Sequence, residues 1–333
     1  MHVVKVLCWT LLIGSLLSVA GCRGPAGTTE DNWLLVSFEK DVPITYRMVS
    51  ERQTELDITS DDPTKKSRPS NSTEKLELVM VYTPIEVNPF GLSTVMVNCK
   101  SAKVTRTQLT GKSNNSDAME GLAGKSFTLK LSPTGNIGDT ADLERIAKEL
   151  GKASFATTRD QTRIKNPDMI GDFIALQQYL WAASSTISNQ LDLKVGDTWQ
   201  ARQSIPWPLP MYPPPARTTT YTLDAITAEE GQPRKAVISS TYALSETPID
   251  DYIKPYDEGR FQMRGMFGFL RNYQFRYLEG SGKQIFNLDD GLVDSDQQEY
   301  LLNVGATFLM PLGSSQPVLT VKQKMSIERI ETP

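Results

Sequence analysis

The chain has 333 residues, 39% of them apolar and 22% charged, with a net charge of −4. Such a chain is long enough to bury a sizeable core in one or two domains, and its mildly acidic balance excludes the basic footprint of a nucleic-acid binder. It holds one histidine, His2, and three cysteines, Cys8, Cys22 and Cys99.

Residues 1–21 read as an export signal. Lys5 is the only charge before a short apolar run over residues 6–17, which falls below the ~20 apolar residues of a spanning helix. Val19, Ala20 and Gly21 then lead into Cys22. This segment resembles the lipobox of bacterial lipoproteins, in which an aliphatic residue and two small ones precede an invariant cysteine. The resemblance implies that Cys22 is acylated on its sulfur, that the signal is cut before it, and that the new amine is acylated in turn. A covalent lipid on Cys22 is then the only attached group expected, and no cofactor is. Two or three acyl chains hold a soluble body at a membrane, whereas one alone is marginal. Arg23, in place of an aspartate, resembles the sorting signal for the outer membrane, facing the periplasm, in a cell with two membranes. Residues 22–32, with Gly24, Pro25 and Gly27, are expected to form a flexible tether.

Cleavage there removes His2 and Cys8, and acylation occupies Cys22. The mature chain then lacks histidine, which excludes Ser-His-Asp and Cys-His catalysis, His-built zinc sites and c-type haem attachment. Cys99 is left as the only free thiol, so no intramolecular disulfide can form. It sits in an alternating stretch, where it reads as a small buried hydrophobe.

Period-two alternation dominates residues 33–138, read as a first β module. Strands are expected at residues 33–39 and 44–51, around Leu76, Leu78, Met80 and Tyr82, over residues 94–106, and around Phe127, Leu129 and Leu131. The polar stretches 61–71 and 111–117 read as loops, and residues 132–135 as a turn. Residues 139–190 form a helical connector. Its first helix is capped by Asp139 or Thr140, carries Leu143, Ile146 and Leu150 on one face, and stops at Gly151. Its second opens at Asp168 and buries Ile170, Phe173, Ile174, Leu180 and Trp181. Between them, Arg159, Arg163 and Lys165 read as a solvated loop.

Residues 191–333 read as a second β module. It opens with Leu193-Lys194-Val195-Gly196-Asp197-Thr198-Trp199, a turn leading into a strand. This run resembles the strand entry of an uncharacterised family of β-rich bacterial envelope lipoproteins. The resemblance speaks for architecture rather than activity. Six prolines between Pro206 and Pro215 force an extended crossover. A hairpin over residues 219–244 and strands around Tyr273, residues 284–287, 299–310 and 318–330 follow. A Gly-Lys pair before a strand and a glycine turn occurs at Gly124 and again at Gly282. The expected fold is therefore α+β, predominantly antiparallel β, with two similar β-sheet modules joined by a helical segment.

The best candidate for chemistry is the acidic run Asp289, Asp290, Asp294, Asp296 and Glu299. Clustered oxygens suit a cation or polar ligand, and paired carboxylates suit glycoside hydrolysis. Its spacing departs from the EF-hand, however, and Asp289-Asp290-Gly291 is a natural hairpin turn. Asp250, Asp251, Tyr252, Lys254, Tyr256, Asp257 and Glu258 form a second acidic-aromatic loop. Residues 265–270 are an apolar stretch, either a buried strand or a lip for lipid or a partner. No catalytic residue and no metal site is assigned. The expected function is that of a membrane-anchored, non-catalytic binding or structural module, meeting an envelope protein or an apolar or sugar ligand. A carrier for lipids or lipoproteins is the alternative, and a carboxylate-based hydrolase a third.

Overall fold

The computed structural model describes residues 33–59, 70–108, 111–112, 116–158, 162–187, 193–309 and 316–331. The expected export signal, lipobox with Cys22 and tether, most of the polar stretch 61–71, residues 113–115 of the expected loop 111–117, and Arg159 lie outside the described residues, while Gly111–Lys112 of that expected loop form a short strand.

The first run of strands comprises β1 (Ile44–Thr59), β2 (Ser70–Val87), β3 (Ser93–Gln108), β4 (Gly111–Lys112), β5 (Ser126–Leu131) and β6 (Ile137–Asp139). Helix α1 (Ala141–Ala153), the short hairpin β7 (Phe155–Thr157) and β8 (Arg163–Lys165), and helices α2 (Ile170–Tyr179) and α3 (Ala182–Ser185) follow. The chain then returns to strands with β9 (Thr198–Ser204), β10 (Ala216–Thr227), β11 (Lys235–Leu244), β12 (Gln262–Met263), β13 (Leu270–Asn287), β14 (Leu292–Phe308) and β15 (Gln316–Ile330).

The protein is predominantly antiparallel β. Both runs belong to one 12-stranded sheet, ordered β6-β5-β3-β2-β1-β15-β14-β13-β11-β10-β9, with β4 beside β3. The chain starts at the centre with β1 and meanders to one edge. It then crosses through the helices to the other edge and meanders back, until β15 pairs with β1 from Thr45↔Ile330 to Thr59↔Gln316. Each run is thus one wing of the sheet, and the seam between the wings is a full antiparallel ladder. A second, three-stranded sheet, β12-β8-β7, brackets the helical segment.

Alternation makes the sheet two-faced. Tyr46 and Met48 of β1, Leu76, Leu78 and Met80 of β2, Val95 and Val97 of β3, and Phe127 and Leu129 of β5 turn inward onto Leu143 and Ile146 of α1 and Ile170, Phe173 and Leu176 of α2. Cys99 is buried in the same core, and burial pushes its thiol up to about 12. A second core lies toward the other end of the C-terminal wing, where Leu302, Val304, Leu319 and Val321 meet Trp207 of the proline-rich crossover and Phe267 of the 265–270 stretch. The positions facing α1 and α2 have essentially no accessible surface, Leu76, Leu78, Leu129 and Phe173 among them. Side chains therefore fill the space between sheet and helices.

Several local expectations are revised. Residues 33–39 are extended and alternate between buried and exposed, but they cross the end of the sheet instead of joining it, with Val36 N–H donating to the Pro133 carbonyl at 2.6 Å and Ser37 N–H to Gly291 at 3.1 Å. Helix α1 runs through Gly151 to Ala153. A methyl at Gly151 would overlap the Pro255 carbonyl, so the glycine serves a close backbone approach and not a stop. Lys165 is fully buried, with its ammonium 2.7 Å from Asp168 and over the Tyr256 ring. Gly124 precedes β5 in a turn, whereas Gly282 lies inside β13 against Tyr242, so the two Gly-Lys pairs do not occupy equivalent places. The Leu193–Trp199 run does form a turn into a strand. Asp197 accepts from Lys194 N–H at 2.9 Å, Gly196 takes a positive φ of 96°, and the Trp199 indole donates to the Ala183 carbonyl, tying β9 to α3.

Candidate functional site

The acidic run is dispersed by the sheet. Asp289 and Asp290 sit in the β13–β14 turn, where Asp289 pairs with Arg234 at 2.9 Å and Asp290 with Arg329 at 3.0 Å. Asp294 pairs with Lys235 at 2.9 Å and with Arg329 at 2.6 Å, and Glu299 with Lys324 at 3.3 Å on the outer face. A register shift in β14 opposite Ile285/Phe286 re-aims the strand, so Asp296 turns inward and is buried. Its carboxylate accepts from Gln284 at 3.1 Å and Gln298 at 3.0 Å. Burial pushes this carboxyl up to about 6, even though the two amides and Arg217 pull the other way. Among the described residues, no group of three histidine, cysteine or acidic side chains converges to hold a metal ion.

Sequence patterning does not reveal the buried ionic groups on the inner face. On the N-terminal wing, Arg52 lies 2.7 Å from Glu74 and 3.1 Å from Asp172 of α2. Arg106 continues the chain, at 2.6 Å from Glu74 and 2.7 Å from Asp117. Ser50 and Gln323 close it, donating to Asp172 at 2.7 and 2.9 Å. Burial alone would raise Glu74, but Arg52 and Arg106 hold it below the usual carboxylate range. Burial dominates at Asp172, which is raised, and at Asp117, which is pushed up to about 6 despite Arg106. These groups are spent on one another inside the core.

On the C-terminal wing, the fully buried Arg217 is sandwiched between the rings of Tyr179 and Tyr242 at 4.2 and 4.1 Å. It donates to Gln203 at 2.9 Å and Gln298 at 2.6 Å. Gln298 in turn donates to Asp296, so the nearest counter-charge is relayed through an amide.

Concavity is found where the two edges of the sheet approach one another. A cleft of about 240 Å³ is bordered by Gly135, Asn136 and Ile137 at the β6 edge and by residues 201–204 of β9 at the opposite edge. Gln178, Ala182, Ser185 and Thr186 of the helical segment lie between them, and Ile249 and Asp251 complete the wall. Both outermost strands border one cleft, so the sheet curls around the helices between them. Among the described residues, Asp251, from the second acidic-aromatic loop, is the one acidic residue on this cleft, and no aromatic ring lines it.

The cleft also meets an open strand edge. Ile205 N–H donates inward to the Pro215 carbonyl, while the Ser204 carbonyl turns away from β10 to accept from the Tyr179 hydroxyl. Antiparallel alternation then points the N–H and C=O of Arg202 away from β10, into the cleft. A smaller, apolar cleft of about 60 Å³ adjoins it, sharing Gln178 and Ser204, under the proline-rich crossover and against Tyr212, Tyr252 and Tyr256. Tyr212 and Tyr252 stack there at 5.8 Å, with the Lys254 ammonium 5.6 Å from each ring. The second acidic-aromatic loop is thus partly a packing element, with Tyr256 buried against Asp168.

Residues 82–232, less than half of the chain, match a family of unknown function (DUF6263). No curated protein matches the chain. Among solved structures, one of lipid–protein interactions in lipovitellin is similar at a TM-score of 0.43 and 9% identity, over 89% of this chain and 26% of that one. The chain thus spans about a quarter of the lipovitellin chain. DynF from the dynemicin biosynthesis pathway of Micromonospora chersina is similar at a TM-score of 0.19 and 8% identity, over 93% of this chain and 94% of that one. Acinetobacter baumannii OccAB4 follows at 0.16 and 6%, over 86% of this chain and 98% of that one.

Proposed function

We propose that this is an exported lipoprotein, anchored through Cys22 to the cell envelope, whose body is a non-catalytic binding module taking a peptide segment of an envelope partner in the cleft between β6 and β9. The two wings act in this reading as similar β modules joined by the helical segment, which the curled sheet encloses. The anchor rests on Val19-Ala20-Gly21-Cys22. The single observation that carries the binding role is the pairing of a polar cleft with the open backbone edge at Arg202. Exposed strand edges are templates for an added strand, with main-chain bonds supplying affinity. A sugar would find amides and hydroxyls there but no aromatic face to lie on. A hydrolase would need two acids facing one cleft, and among the described residues this cleft has Asp251 alone. An apolar carrier needs room for an acyl chain where the core side chains already lie.

Radiolabelled palmitate should enter the wild type and not Cys22→Ala; equal labelling of both removes the anchor. A photo-crosslinking side chain at Arg202 should give one discrete adduct in living cells, and the same group at Glu299 on the outer face should give none. Adducts at neither position, or equally at both, remove the binding role.

A further inference from the structure

We propose that the end of the body from which residue 33 emerges rests on the lipid bilayer, with the β2–β3 turn inserted into its apolar layer. This rests on the anchoring of Cys22 proposed above, and adds to it an orientation and a contact surface.

The strands give the molecule two distinct ends. At one lie the start of β1, the β2–β3, β5–β6 and β13–β14 turns, and the crossing segment 33–39. The β2–β3 turn there presents Phe90 at 83% exposure and Leu92 at 52%. Val42, Ile85, Trp33 and Leu35 are exposed around it. Backbone bonds hold these residues together: Asp41 N–H donates to the Pro84 carbonyl at 2.8 Å, joining Val42 to Ile85, and Val36 N–H to Pro133. Gly91 packs on Pro133 so closely that a methyl on it would lie 2.8 Å from the proline ring, joining the turn to the crossing segment.

Nothing in the fold uses Phe90, and large apolar side chains gathered at the surface mark a contact with another apolar phase. The turn is also rigid. The Asn88 side-chain oxygen accepts from the N–H groups of Phe90 and Leu92, both at 2.9 Å, and Gly91 N–H donates to the Asn88 carbonyl at 2.9 Å. A preformed turn loses little conformational freedom on insertion.

Chain length selects the bilayer as the occupant. Eleven peptide steps separate Cys22 from Trp33, and that stretch spans at most about 40 Å. The tether therefore delivers this end of the body to the membrane. The opposite end, marked by the exposed Phe269, lies a whole β13 strand away, on the order of 50 Å at about 3.3 Å per residue. On the C-terminal wing, the turns of the anchored end carry Glu229, Glu230, Asp289 and Asp290, all exposed. They belong in water, so contact is made through the tip of the N-terminal wing and not by the whole end.

The test uses the full chain, matured in cells and reconstituted into phosphatidylethanolamine–phosphatidylglycerol vesicles. Phe90→Cys and, as the control, Phe269→Cys each receive a nitroxide label; Cys99 is buried and stays unlabelled. The label at 90 should favour collision with oxygen over a water-soluble nickel complex by on the order of tenfold relative to that at 269, as expected for transfer into an apolar phase. Equal accessibility of both labels to nickel overturns the proposal while leaving the anchor intact. If palmitate labelling shows that Cys22 is not acylated, the mature chain carrying Cys22→Ser, so that no second thiol takes the label, is added to the same vesicles. A protected label at 90 then supports the contact without the anchor, and no binding overturns it. Because Phe90 is exposed, Phe90→Asp should fold as the wild type does, and should lose the protection of a label placed at Leu92.

Discussion

Both wings bury an arginine, and they neutralise it by different means. Arg52 meets two carboxylates directly, Glu74 and Asp172, inside a chain of ion pairs extended by Arg106 and Asp117. Arg217 meets the faces of Tyr179 and Tyr242 and two glutamine oxygens, and among the described residues one of its terminal nitrogens has no partner. In a low-dielectric interior an ion pair satisfies both partners but penalises the loss of either one. Aromatic faces and amides spread the charge and strand less when the cation is removed. The N-terminal wing should therefore be brittle toward single substitutions and the C-terminal wing tolerant.

The sharpest break is Arg52→Met. It leaves Asp172 and part of Glu74 without their cation, and should cost about 3–5 kcal/mol in urea unfolding, as breaking a buried pair does. The next is a pH profile. Burial raises Asp296 from 3.8 to about 6, so at pH 5 the folded state holds a proton that the unfolded state has released. Stability thus falls as pH rises from about 4 to 6 and is flat above. A shift of this size corresponds to roughly 3 kcal/mol at most. Asp117, raised to about 6, adds to the same slope. Asp296→Asn, whose side-chain oxygen still accepts from Gln284 and Gln298, should flatten that part of the profile and stabilise the protein at pH 7 by about 1–3 kcal/mol. A difference between variant and wild type that does not change between pH 4 and 6 would refute the assignment.

Arg217→Met should cost less than its counterpart on the other wing, about 1–2 kcal/mol, because it strands the Gln298 oxygen and no carboxylate directly, while the Gln203 oxygen keeps the Thr219 hydroxyl. Equal losses for Arg52→Met and Arg217→Met would erase the comparison. The smallest effect is expected at the surface acids. Arg329→Ala should move stability by less than about 1 kcal/mol, and millimolar calcium should leave the unfolding midpoint where it was.

Strand positions were legible wherever inward residues are apolar, as at Leu76, Leu78 and Met80 or at Leu319 and Val321. Strand length was less so. β1 continues to Thr59 because its inward side chains become Ser50, Arg52 and Thr54, which carry the alternation in geometry but not in hydropathy. The same polar positions hide the ionic chain, whose members come from β1, β2, β3, the segment between β4 and β5, α2 and β15. Lys165 read as solvated because the ring that covers it, Tyr256, lies on a distant segment, and its partner Asp168, three residues on, read as the opening of a helix. The acidic run was visible as composition, while the β14 irregularity that separates Asp294 from Asp296 has no local signal. The cleft was invisible for a related reason: its walls come from residues near 136, 180, 202 and 250, and only the curl of the sheet brings them together.

The pairing of β1 with β15 has a further meaning for biogenesis. A chain that crosses a membrane N-terminus first delivers β1 early and its partner last, since Thr45 pairs with Ile330. Until the final strand arrives, one side of β1 is an unpaired edge beside a nascent meander, the situation that invites misassociation. Contacts so distant in sequence also slow folding. Loss of β15 should therefore abolish the fold outright instead of trimming it, and under the export proposed above the chain has reason to be escorted until β15 has emerged.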